Sequence, residues 1–137
     1  MIKGFATPEG TNKFAENHIH VPQQNYRKIQ SLALSNVGIG TYLGNTDSET
    51  DLLMKNAVKE SILQGVNVID TAINYRAQKS ERTVGKAISE LVGEGKINRN
   101  EIFISTKNGY VTNDADIQED FMDYVIREFG KTGIVKE

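Results

Sequence analysis

Three residues of this 137-residue chain have side chains and positions suited to proton chemistry: Asp70, Tyr75 and Lys107. Asp70 ends a short apolar run, VNVID (66–70), and Tyr75 follows it across the turn TAIN. Lys107 ends a second apolar run, IFISTK (102–107). If both runs are strands of one parallel sheet, both side chains leave from the carboxyl edge, where ligands bind in parallel α/β folds. Neighbouring strands lie about 4.8 Å apart, a gap that a lysine side chain spans. An ammonium beside a phenol favours the phenolate, and a carboxylate keeps that ammonium charged and aimed. Such a tyrosine can donate a proton to a carbonyl oxygen. Taken singly, a strand-end Asp also caps turns and a strand-end Lys also snorkels to water. The combination is what points to a site.

The elements that must position these residues can be read in order. Residues 1–25 are polar, hold both prolines and both histidines, and read as an extended arm. His18 and His20 flank Ile19 without further ligands nearby, so they read as solvated rather than metal-binding. YRKIQSLALS (26–35) alternates loosely and predicts a hairpin turning at Gln30-Ser31. VGIGTY (37–42) predicts the first parallel strand, with Gly38 and Gly40 leaving one face bare for a close approach.

A helix follows, starting at Thr46-x-x-Glu49 or Ser48 and presenting Leu53, Met54, Ala57, Val58, Ser61 and Ile62 on one face. Gly65 closes it. After the second strand, Ser80 is the expected cap of a further helix whose Val84, Ala87, Ile88, Leu91 and Val92 give the clearest helical period. Residues 101–107 predict the third strand and 120–129 a last helix stopped by Gly130. KTGIVKE (131–137) reads as the approach to another element. Strand–helix alternation at this spacing predicts parallel strands joined by right-handed crossovers.

Composition narrows the function classes. Hydrophobic residues make up 38% and charged residues 25%, a globular mixture. A formal charge of −2 offers no electrostatic case for nucleic acid or an anionic membrane. With no cysteine there is no thiolate chemistry or disulfide, and no apolar run approaches a membrane span. The expectation is a soluble, cytoplasmic protein.

The segments VGIGTYLG (37–44), GVNVIDTAINYRAQKSERTVGKAI (65–88) and IFISTKNGY (102–110) together resemble the N-terminal part of an aldo-keto reductase. The order GTY, DTAxxY followed by SE, then TKxG carries the resemblance over about residues 26–110. It implies an α/β fold, the opening part of a (β/α)8 TIM barrel: an N-terminal hairpin closing the bottom and the first three β/α units. The domain division expected is a polar arm over 1–25 and an incomplete barrel over 26–137.

The resemblance also implies NADPH-dependent reduction of an aldehyde or ketone by an Asp, Tyr, Lys and His tetrad. Asp70, Tyr75 and Lys107 match the first three members. Gly40, Thr41 and Asp70 match positions beside the nicotinamide, and Tyr42 would border the substrate. The tetrad histidine belongs to a fourth strand, and most contacts to the rest of the cofactor to later loops. His18 and His20 precede the barrel and do not replace it. A barrel needs about 250 residues, so the chain is expected to be a front portion, inactive alone, with free strand edges that invite self-association. The alternative expectation is a non-catalytic fragment or regulatory subunit.

Overall fold

The computed structural model describes residues 2–133, so the end of the KTGIVKE stretch, 134–137, lies outside the described residues. Its elements are helices α1 (Pro8–Asn17), α2 (Ser48–Leu63), α3 (Lys79–Gly93) and α4 (Phe121–Phe129), with strands β1 (Tyr26–Ile29), β2 (Leu32–Ser35), β3 (Ile39–Gly40), β4 (Val68–Asp70) and β5 (Phe103–Ser105). β1 and β2 form an antiparallel hairpin, and β3, β4 and β5 form a parallel sheet in that spatial order. This is an α/β fold whose three parallel strands fit the start of a barrel. No closed barrel forms among the described residues.

Register decides which side chains meet. Ile39, Ile69 and Ile104 lie in one row across the sheet and turn toward the helices. There they join Val58 and Ile62 of α2 and Val84, Ala87, Ile88 and Leu91 of α3. Gly40, Asp70 and Ser105 form the next row, and alternation along a strand sends it to the opposite face. On that face Gly38 has a steric reason: a Cβ there would sit 3.0 Å from Val68 Cγ1. A Cβ on Gly40 would meet nothing within 4 Å, which leaves open space at the strand's carboxyl end.

The hairpin packs at the other end. Its turn residues Gln30 and Ser31 both take positive φ, 49° and 70°, the geometry of a two-residue turn matching strand twist. The fully buried Asn67 fastens it to the foot of β4. The Asn67 side chain accepts from Ser35 N (2.9 Å) and donates to Ala33 O (2.9 Å). Tyr26 adds a hydroxyl bond to Gly65 O at 2.8 Å.

Four expectations need correction. Residues 8–17 are not part of an extended arm but a helix. Thr7 caps it by accepting from Gly10 N, Pro8 occupies its first turn, and it buries Thr11, Phe14 and Ala15. Thr11 Oγ1 accepts from Ala33 N at 3.0 Å, joining α1 to β2. His18 is the C-cap of α1, with its ring on Phe14 at 4.1 Å between centroids. The cap of α2 is Asp47, which accepts from Thr50 N at 2.7 Å, rather than Thr46 or Ser48. Ser80 caps nothing: α3 begins at Lys79, and the buried Ser80 hydroxyl donates to Thr41 O at 2.6 Å. The α2 stripe is also narrower than its period suggests, since Leu53 and Ala57 are exposed and only Val58 and Ile62 are fully covered. α4 matches its expected span, with Asp120 as the N-cap.

Candidate active site

The site is built at the carboxyl edge of the parallel sheet. Gly40 and Asp70 are register partners at the ends of β3 and β4. Thr41, fully buried, donates from both its backbone N and its Oγ1 to Asp70 O, each at 3.1 Å. This double bond to one carbonyl fixes the strand end from which the Asp70 side chain leaves. Lys107 lies two residues beyond β5, and Thr71 N bonds Ser105 O at 2.9 Å to keep the two strand exits side by side.

Lys107 Nζ donates to Asp70 Oδ1 at 2.6 Å and to Thr71 O at 3.0 Å. It also lies 5.1 Å from the centre of the Tyr75 ring. The hydrogen bond it donates to Asp70 holds the Lys107 ammonium above the usual lysine range; desolvation opposes this and Tyr75 adds to it. The Asp70 and Lys107 side chains are 45% and 47% exposed, so the pair is a wet one whose use lies in aim rather than stability. Tyr42 stands edge-on to Tyr75 with ring centres 5.0 Å apart and is 64% exposed. A cleft of about 300 Å³ opens beside Lys107, lined by Ile73, Glu81, Thr106, Lys107 and Asn108. A larger one, about 670 Å³, lies against the outer side of α3 near Ile88 and Arg99. It is away from the Asp70–Tyr75–Lys107 cluster, where charge and a hydroxyl converge.

All six residues singled out in the sequence, Gly40, Thr41, Tyr42, Asp70, Tyr75 and Lys107, therefore stand at one edge of the sheet. What sequence reasoning missed lies just behind them. Tyr75 opens onto Arg76, Ala77 and Gln78, with φ of 51°, 50° and 73°. Such left-handed backbone costs a non-glycine residue about 1 kcal/mol each. Arg76 is buried; its Nε donates to Asn45 O at 2.7 Å and its Nη2 to Asp51 Oδ1 at 2.6 Å. Lys79 donates to the other oxygen of Asp51 at 3.0 Å. Burial of Asp51 disfavours its charge, but the bonds from Lys79 and Arg76 outweigh that and hold the carboxyl below the usual carboxylate range. The run RAQK carries no glycine to announce positive φ, and Asp51 reads as an ordinary first-turn acid.

The residues present fit one end of a nicotinamide cofactor. The bare Gly40 keeps a flat group's approach open, the half-exposed Asp70 carboxylate supplies polar atoms at that rim, and the buried Thr41 holds the strand end behind it.

The aldo/keto reductase family model matches residues 36–132. The chain is 36% identical over 96 residues to aldo-keto reductase family 1 member D1 of Rattus norvegicus, an overlap of 70% of this chain and 26% of that protein. It is 29% identical over 103 residues to aldose reductase B of Dictyostelium discoideum, covering 75% of this chain and 27% of that one. Aldo-keto reductase YhdN of Bacillus subtilis is 35% identical over 79 residues, 53% of this chain and 22% of that protein. The chain spans about a quarter of the length of these curated relatives. The matched segment holds β3, β4, β5 and every residue of the cluster, and the chain belongs to the aldo/keto reductase family.

Proposed function

We propose that this chain is the opening part of a (β/α)8 barrel that reduces an aldehyde or ketone to an alcohol with NADPH. The observation that carries the reading is the Asp70–Lys107–Tyr75 cluster: a 2.6 Å ion pair with its ammonium 5.1 Å from the phenol ring, at the carboxyl edge of a parallel sheet. Tyr75 donates its hydroxyl proton to the carbonyl oxygen as charge develops there. Lys107 stabilises the phenolate left behind, and Asp70 keeps Lys107 charged and pointed at Tyr75. Gly40, Thr41 and Asp70 border the nicotinamide, and Tyr42, edge-on to Tyr75, borders the substrate. When bound, the cofactor supplies the hydride. A cytoplasmic location belongs to the same reading; among the described residues no helix is long and apolar enough to cross a membrane.

The test uses a protein in which residues 1–137 are continued by the remaining strands of an aldo/keto reductase barrel. Given NADPH deuterated at C4 and an aromatic aldehyde, the label should arrive on the carbinol carbon. Absence of reduction in the folded protein would overturn the reading.

A second, non-catalytic reading has its own observation. Among the described residues β3 and β5 each pair with β4 alone, leaving one free edge apiece, and Val37, Tyr42 and Leu43 are exposed near the β3 edge. Free parallel edges recruit further strands, so the 137 residues taken alone would associate with a second copy or a partner chain. Light scattering that finds a monomer at high concentration would remove this reading.

A further inference from the structure

We infer that Arg76, clamped by Asp51, is a positioning residue for Tyr75: it locks the tyrosine's turn and the Tyr42 loop together so that the phenol faces Lys107. The inference rests on the reading of Tyr75 as the proton donor and adds a group that does not touch the reacting atoms.

The turn after Tyr75 has little of its own to hold it. Arg76, Ala77 and Gln78 all sit in left-handed backbone without a glycine, a conformation that persists only where surroundings enforce it. Bonds that could enforce it from within are few: Lys79 N reaches Arg76 O at 3.2 Å, and Ser80 N reaches Tyr75 O at 3.4 Å. On the outer flank Ala115 N donates to Ala77 O at 3.1 Å, and the Gln78 side chain donates to Tyr124 Oη at 3.0 Å and Asn113 O at 3.3 Å. On the inner flank the only side chain of the three to enter the interior is that of Arg76, 1% exposed.

That guanidinium bridges two pieces of the site. Its Nε bond ends on Asn45 O, three residues past Tyr42 and in the same loop. Its Nη2 bond ends on Asp51 in the first turn of α2, which Lys79 of α3 also grips. Gly44, at φ 115°, lets the loop fold over the Arg76 chain; a Cβ there would lie 2.6 Å from Thr50 Cγ2 and 3.7 Å from Arg76 Nε. Together with the Ser80 hydroxyl bond to Thr41 O, this planar, multiply donating group sets the Tyr42 loop against the Tyr75 turn, and the two rings meet edge-on at 5.0 Å. A lysine offers a single point charge and cannot make both bonds in these directions. Charged neighbours of the clamp are Lys79 on the shared carboxylate, Asp116 beyond it, and Asp47, whose carboxylate feels the Arg76 charge.

The test is nuclear magnetic resonance on the 137-residue chain with labelled tyrosine and lysine. In wild type the Tyr75 ring should show cross-peaks to the Tyr42 ring and to the Lys107 side chain. Arg76→Lys and Asp51→Asn should each lose both, while contacts of Tyr26 at the far end of the sheet persist. Retention of the Tyr75 cross-peaks in either folded variant overturns the inference. If neither variant folds, the clamp supports the whole domain rather than Tyr75, and the inference also falls. Lys107→Met, with Arg76 intact, examines the underlying reading separately. If the barrel-length protein carrying it still reduces an aldehyde at the wild-type rate, the proton-donor assignment fails, whatever the cross-peaks of the clamp variants show.

Discussion

Replacing Gly10 by alanine should destabilise the protein, although the same change inside a free helix would strengthen it. Gly10 lies in the first turn of α1, where a Cβ would stand 2.3 Å from Asn100 O and 2.6 Å from its carbonyl carbon. Ordinary contact begins at 3.4 Å, so the helix must withdraw by about 1 Å from a backbone that cannot swing aside. That withdrawal stretches the 3.0 Å bond from Thr7 N to Asn100 O. Forced overpacking costs about 1–3 kcal/mol and a strained hydrogen bond about 1 kcal/mol, against a helix-propensity gain of about 1 kcal/mol. The clash wins, by about 1–3 kcal/mol, or a fall in Tm of roughly 4–12 °C for a chain of this size. Gly85, in the middle of α3 with nothing within 4 Å of a Cβ, is the control. Gly85→Ala should raise stability by about 0.5–1 kcal/mol. Urea and thermal unfolding of both variants measure the difference. If Gly10→Ala stabilises as Gly85→Ala does, α1 is not docked against the Arg99–Glu101 turn and the corrected view of the N-terminus is wrong.

Further outcomes follow from the interior and the charges. Asn67→Ala strips Ser35 N and Ala33 O of their partner and should cost at least about 2 kcal/mol in denaturant unfolding, with the hairpin losing exchange protection first. Asp51 titrates below its unfolded value near 3.9, so the clamp contributes fully above that pH and is lost as pH falls through the folded value. Thermal melts from neutral to acid pH should therefore fall more steeply for wild type than for Asp51→Asn; parallel curves would refute the assignment. The polypeptide of 137 residues, titrated alone with NADPH and followed by cofactor fluorescence, should not bind tightly, and micromolar affinity would contradict that.

The Asp70–Tyr75–Lys107 cluster was legible because its members sit where strand periodicity breaks: an acid and a lysine each closing a Val/Ile run, and a phenol one turn later. The helix α3 was legible for a similar reason, its apolar residues returning at three and four. α1 was not, because its burial rests on Phe14, Ala15 and small polar residues, although Thr7-Pro8 carries a cap-and-first-turn signal. The true roles of Ser80 and Asp47 depend on which backbone atom comes within reach, a tertiary matter. The Arg76 clamp was hidden for the same reason, since neither the left-handed run nor the meeting of Asp51 and Asn45 has a local sequence signature.

The claim on which everything else depends is that the Tyr75 hydroxyl delivers the proton. Tyr75→Phe, made in the barrel-length protein containing this chain, keeps the ring and its contacts to Tyr42 and Lys107 and removes only the O–H. Turnover of an aldehyde at saturating NADPH should fall by about 10²–10⁴-fold, the worth of a positioned general acid, with the fold and cofactor affinity retained. Turnover within a few-fold of wild type would contradict the account.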